Sequence, residues 1–188
     1  MPQPDPVPAA PTYESFRHVV ETARLAAGAP VTAELIMSEA DRTALARDFR
    51  IPGVEALSGE ALAARRAGLI EVEGRVRATL TRQCVASLDD MAEVIDEAFV
   101  VTYTEHRPAR EEAEAEADLD APEPIEDGRL DLGQVLLEQL VLAMAPHPRK
   151  PGAEAPADPG AGARITPFDV LAGLAANGAA NDVPDEDE

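Results

Sequence analysis

The chain has 188 residues, 45% hydrophobic but only 3% aromatic, and its 36 acids against 16 bases leave a net charge of −20. That length suffices for one domain with a real core plus flexible extensions, and the core must be built from Ala, Leu, Val and Ile. The acidic balance disfavours bulk nucleic acid and anionic membrane and favours basic protein partners, while the lone cysteine, Cys84, excludes a disulfide within the chain and a multi-cysteine metal site.

Residues 1–12 are rich in Pro and poor in apolar groups, which predicts a disordered lead-in. No basic start followed by an apolar run marks a secretory signal, and no apolar stretch is long enough to span a bilayer, so a cytoplasmic protein is expected. A single domain is expected over residues 13–176, followed by a disordered acidic tail at 177–188.

Residues 13–20 and 31–37 read as short strands. Ser38 then reads as a helix cap with Asp41 at the third helical position, and Ala40, Ala44, Leu45 and Phe49 recur at helical spacing over residues 39–49. Pro52 and Gly53 stop that helix. Residues 54–66 read as strand, although their Ala content also allows a helix, and Ala67 and Gly68 turn the chain.

Residues 70–85 alternate with period two. Ile70, Val72, Val76, Ala78 and Leu80 share one face; Glu71, Glu73, Arg75, Arg77, Thr79, Thr81 and Gln83 share the other. Such a strand belongs to an antiparallel sheet with one wet side. Residues 88–91 turn, and residues 94–104 return with Phe99, Val101 and Tyr103 alternating. Strands adjacent in sequence then pair as a meander.

Residues 105–128 hold Glu, Asp, Ala and Pro and almost no larger apolar group, which predicts a flexible acidic loop, briefly helical at most in EEAEAEA. Asp131 then caps a helix over residues 132–144, with Gln134 placed to reach back to the cap's N–H. Leu132, Val135, Leu136, Leu140 and Ala143 recur at helical spacing, and Leu137, Val141 and Met144 widen the apolar face until little polar surface remains. Such a helix is buried in its own domain or against a partner. Residues 151–163 read as a flexible linker. Thr166, Pro167 and Asp169 start a last short helix with Phe168, Leu171 and Leu174 on one face. The expected fold class is α+β: an antiparallel β-meander able to close into a partial barrel, packed with an apolar C-terminal helix and flexible acidic loops.

Candidate chemistry is sparse. Cys84 shares the parity of Val76 and Leu80, so it is expected to face the core as a small apolar filler. His18, His106 and His147 lack ligand-like spacing. Asp89 with Asp90, and Glu126 with Asp127, are carboxylate pairs in expected turns, where adjacent acids are usually solvated. Arg65, Arg66, Arg75, Arg77 and Arg82 cluster in the sheet region. They can form a phosphate-binding stripe or pair across strands with Glu71, Glu73 and neighbouring acids, and no aromatic interleaves them to stack bases. Arg149 and Lys150 follow the apolar helix in PHPRKPG, where cations suit the helix C-terminus and flanking prolines suit an extended recognition peptide.

Three segments, taken in order, resemble the YceD family of large ribosomal RNA subunit accumulation proteins. They are GRVRATLTRQCVASLDD leading into AEVIDEAFVVTY, then LDLGQVLLEQLVLAMAPHPRK after an acidic loop, then the terminal TPFDVLAGL. Order and spacing match over roughly residues 16–174. The resemblance implies a cytoplasmic, non-enzymatic factor that supports synthesis, processing or stability of large-subunit (23S) ribosomal RNA. Many relatives carry C-x-x-C where this chain has Cys84 and Ser87, and some add a second cysteine pair downstream; the departure counts against a family metal site here.

The expected function is therefore an accessory role in ribosome biogenesis, exerted by binding a ribosomal protein or 23S rRNA of the assembling large subunit, with no membrane, cofactor, metal or small-molecule substrate. The candidate interaction residues are Arg65, Arg66, Arg75, Arg77, Arg82, Arg149 and Lys150. Two alternatives stand beside it: a small metal-dependent hydrolase or nuclease using Asp89 and Asp90, and an adaptor that docks through PHPRKPG.

Overall fold

Three long strands carry the architecture, and inward and outward residues alternate along most of each, with a bulge between Val54 and Ala56 in the first and an exposed run at Asp96, Glu97 and Ala98 in the third. In the computed structural model, which describes residues 12–26, 28–105, 121–125 and 127–154, these are β3 (Gly53–Arg66), β4 (Leu69–Gln83) and β5 (Asp90–Thr104). They are preceded by β1 (Val19–Glu21), α1 (Thr22–Ala26), β2 (Val31–Ile36) and α2 (Glu39–Phe49). They are followed by β6 (Glu123–Pro124), β7 (Arg129–Asp131) and α3 (Leu132–Ala143). The protein is α+β. A 5-stranded sheet has the order β2-β3-β4-β5-β6, antiparallel except for the parallel β5–β6 contact, and it stays open. β1 and β7 form a separate antiparallel pair. All of these elements lie within one unit, Met1–Ala153.

Register assigns the faces. Ile70 stands opposite Tyr103, Val72 opposite Val101, and Ala78 between Leu57 and Ile95, so one face is a continuous apolar surface. Helix α3 covers it with Leu132, Val135, Leu136 and Leu140, all buried. Leu136 sits on Gly59, where an added Cβ would come within 2.6 Å of its Cδ2. Gly59 is thus a socket, and burying Leu136 there contributes about 2–3 kcal/mol. The β3–β4 hairpin closes through Ala67 (φ 50°) and Gly68 (φ 88°), both left-handed, as a two-residue primed turn requires.

Helix α2 forms as expected, with the Ser38 hydroxyl accepting the Asp41 N–H at 3.2 Å. The N-terminal segment departs from expectation. Residues 13–20 are not one strand: a 3-10 turn at Glu14–Phe16 precedes β1. The Asp41 carboxylate takes the Ser15 N–H at 2.8 Å and Tyr13 donates to Asp48 at 3.0 Å, which curls the chain over α2.

The start of α3 is built differently from the expected capping box. Asp131 does cap it, its Oδ1 accepting the Gly133 N–H at 3.0 Å. Gln134 turns away and donates to Glu138 at 3.1 Å. The same Asp131 oxygen takes the His18 N–H at 2.9 Å, and Leu132 N–H donates back to the His18 carbonyl. The cap and the β1 edge therefore share one carboxylate. Nor is α3 buried all round, since Val141 is 51% and Leu142 76% exposed. The expected lead-in at 1–12, most of the acidic loop at 105–128, His106, the linker at 151–163 beyond residue 154, the helix after Thr166 and the tail at 177–188 lie outside the described residues.

Candidate interaction surfaces

The face of the sheet opposite α3 is the first candidate. Register places Arg75 and Arg77 of β4 beside Glu60 of β3 and Asp96 of β5. Arg77 reaches Glu60 at 3.1 Å and Asp96 at 3.3 Å, and Arg75 also bonds Asp96. The Arg75 hydrogen bond, then the charges of both guanidiniums, hold the Asp96 carboxyl below the usual carboxylate range. Arg66 pairs with Glu71 at 3.0 Å and Glu73 at 3.5 Å.

Arg65 and Arg82 are not part of this face. Arg65 stands opposite Ile70, on the helix-covered side, and pairs with Glu105 at 2.6 Å. Arg82 shares the parity of Leu80, is largely buried, and binds Glu93 at 2.7 Å and the Ala145 carbonyl at 3.2 Å. The five sheet arginines therefore form no single stripe. Arg66, Arg75 and Arg77 stand among Glu60, Glu71, Glu73 and Asp96, and each is engaged by at least one of them.

The second candidate is the corner where the β4–β5 turn meets the chain leaving α3. Cys84 is fully buried, as expected, but it is not an apolar filler. Its Sγ accepts the Lys150 N–H at 3.3 Å and the Ser87 N–H at 3.5 Å. Lys150 N–H first, then Ser87 and Ala86, hold the thiol down to about 6 against the opposing effect of burial. Val85 N–H donates to the Pro148 carbonyl at 2.9 Å, and Lys150 Nζ lies 3.5 Å from the Asp89 carboxylate. PHPRKPG is thus strapped to the sheet end, with Arg149 exposed and no carboxylate paired with it among the described residues. Asp89 also accepts from the Ser87 hydroxyl at 3.1 Å, while Asp90 opens β5 opposite Gln83. Ser87 and Cys84 supply one thiol and one hydroxyl, and no group of three or more His, Cys, Asp or Glu among the described residues is placed to hold a metal ion. These residues do not fit a cysteine-ligated metal.

The third candidate was missed in the sequence. A groove of about 500 Å³ runs along the outer side of α3, between the last turn of α2 and β6. Its signal was available: α3 carries apolar residues round most of its circumference, more than a single covered face can bury.

An open five-stranded sheet covered on one face by a single long helix defines a small, acidic α+β protein with three candidate surfaces. The chain matches the family model described as large ribosomal RNA subunit accumulation protein YceD over residues 72–175, more than half of its 188 residues, and it belongs to that family. The match covers most of β4 and all of β5 and α3. No curated protein and no solved structure matches the chain. Family membership ties the protein to accumulation of large-subunit ribosomal RNA, and no helix among the described residues is long and apolar enough to cross a membrane.

Proposed function

We propose that this chain is a non-enzymatic, cytoplasmic accessory factor in 23S rRNA accumulation that acts by holding a basic ribosomal protein of the assembling large subunit. One observation carries the choice of partner. All five sheet arginines that were candidates for phosphate contact are already engaged by carboxylates, on a chain of net charge −20. Binding follows local potential, and acids outnumber guanidiniums on the open sheet face. An acidic surface of this kind keeps a basic client soluble and off the wrong RNA, then yields it when ribosomal RNA competes for the same charges.

The reading is tested by capturing a tagged chain from cell lysate at low and high salt, with and without nuclease, and identifying both RNA and protein. Salt-sensitive recovery of a basic large-subunit protein after nuclease treatment supports it. Recovery that depends on intact 23S rRNA overturns it in favour of direct RNA contact.

A further inference from the structure

The groove beside α3 is floored by Tyr13, Phe49 and Leu137, and its lip is formed by Val141 and Leu142. At 51% and 76% exposed, these two lip residues are adjacent in the chain and, of the large hydrophobics exposed among the described residues, they are the pair that lines this groove. The polar edge carries Glu123 and Glu138, and no Lys or Arg is among the described residues lining the groove. Both carboxylates act on one spot: burial first, then the Glu123 and Glu138 charges, push the phenol of buried Tyr103 up. The last turn of α3 contains no basic residue, so its carbonyl end adds further negative potential.

We infer that this groove is the seat for a Lys/Arg-bearing segment of the basic partner, which inserts apolar side chains between Phe49 and the Val141–Leu142 lip and sets its cations against Glu123, Glu138 and the C-terminus of α3. The inference rests on the holder reading above and adds where the client binds and by what chemistry. From Gln134 to Leu142 the helix offers about 12 Å of wall, enough for some two turns of a docked helix. A second copy of this chain is the poorer occupant: a two-fold pair through the groove would bring Glu123 and Glu138 of both copies together on chains that each carry −20. An anionic lipid surface meets the same repulsion.

The test uses the full-length chain and, as probe, the proteins extracted from large ribosomal subunits after removal of rRNA. Val141→Ser with Leu142→Ser changes two exposed residues, and unchanged circular dichroism and thermal midpoint verify the fold. Retention of the basic client is expected to fall about tenfold or more, because two apolar side chains lose their burial against it. Glu138→Lys is expected to weaken binding at low salt and flatten its salt dependence. Val94→Ser with Val100→Ser, on the opposite sheet face, is expected to change nothing. If wild type retains a client and both groove variants retain it equally, the inference fails while the holder reading stands. If wild type retains no basic protein, the holder reading itself fails. If wild type self-associates and the double variant does not, a second copy occupies the groove and the inference is overturned.

Discussion

The backbone N–H of Lys150 donates to the Sγ of Cys84 across 66 positions of chain, joining the segment after α3 to the turn between β4 and β5. A sulfur accepting backbone N–H groups is stabilised most as a thiolate, which is why the folded thiol titrates near 6 rather than its ordinary 9.0. The folded state therefore loses this proton before the unfolded state does. The stabilisation is absent below about pH 6, grows as pH rises, is complete above 9, and is lost again as pH falls through 6. The thermal midpoint of wild type minus that of Cys84→Ala should widen between pH 6 and pH 9. A gap that stays constant across that window shows the thiol to be an uncharged filler.

Gly133 sets how closely the stretch leading into β1 can approach α3. A Cβ built there would lie 1.6 Å from the Phe16 carbonyl oxygen, and that contact is backbone, which cannot rotate aside. Gly133→Ala must push the Phe16–His18 stretch off the helix and break the His18 bonds to Asp131 and Leu132. We expect a loss of about 3 kcal/mol or more, read from the urea midpoint. A loss below about 1 kcal/mol would mean that the N-terminal segment moves freely.

Ala67 is the strained member of the hairpin turn, with φ 50°. An L-residue with a Cβ is disfavoured there by roughly 1–2 kcal/mol, and glycine recovers most of that less its own entropy. Ala67→Gly should raise stability by about 0.5–1 kcal/mol, measured by denaturant unfolding. Unchanged or reduced stability would show that the turn does not hold the primed geometry.

Much of this was legible from residue pattern, and the misses have physical causes. Helix α2 follows from its cap and spacing, and β4 from unbroken alternation over Ile70 to Leu80. β6 and β7 are two and three residues long, too short to carry a period. They exist because tertiary neighbours, β5 and β1, supply their partners. Of the two arrangements open to the sheet arginines, a single stripe fails on parity, and cross-strand pairing with acids is what forms. Arg82 lies an odd number of positions from Arg75 and Arg77, so it had to face the other side of the same strand. Arg65 needed the register with Ile70, which only pairing provides. The Gln134 capping contact was lost because Asp131, already shared with β1, left no need for it.

Asp89 and Asp90 separate binding from catalysis. Asp89 is engaged by Ser87 and Lys150, and both carboxylates sit at the exposed sheet end. Replacing both with Asn should leave the 23S to 16S rRNA ratio of a complemented depletion strain at the wild-type level. A collapse to the depleted level, with the variant folded and abundant, would favour the hydrolase alternative.

The most direct measurement is size-exclusion chromatography of the purified chain mixed with RNA-free large-subunit proteins at low salt, before and after adding 23S rRNA. Co-elution with one or a few basic proteins that leave the chain when the rRNA is added is the outcome expected of an acidic holder. A chain that ignores every basic protein and instead co-elutes with the rRNA, or cuts it, would contradict the account.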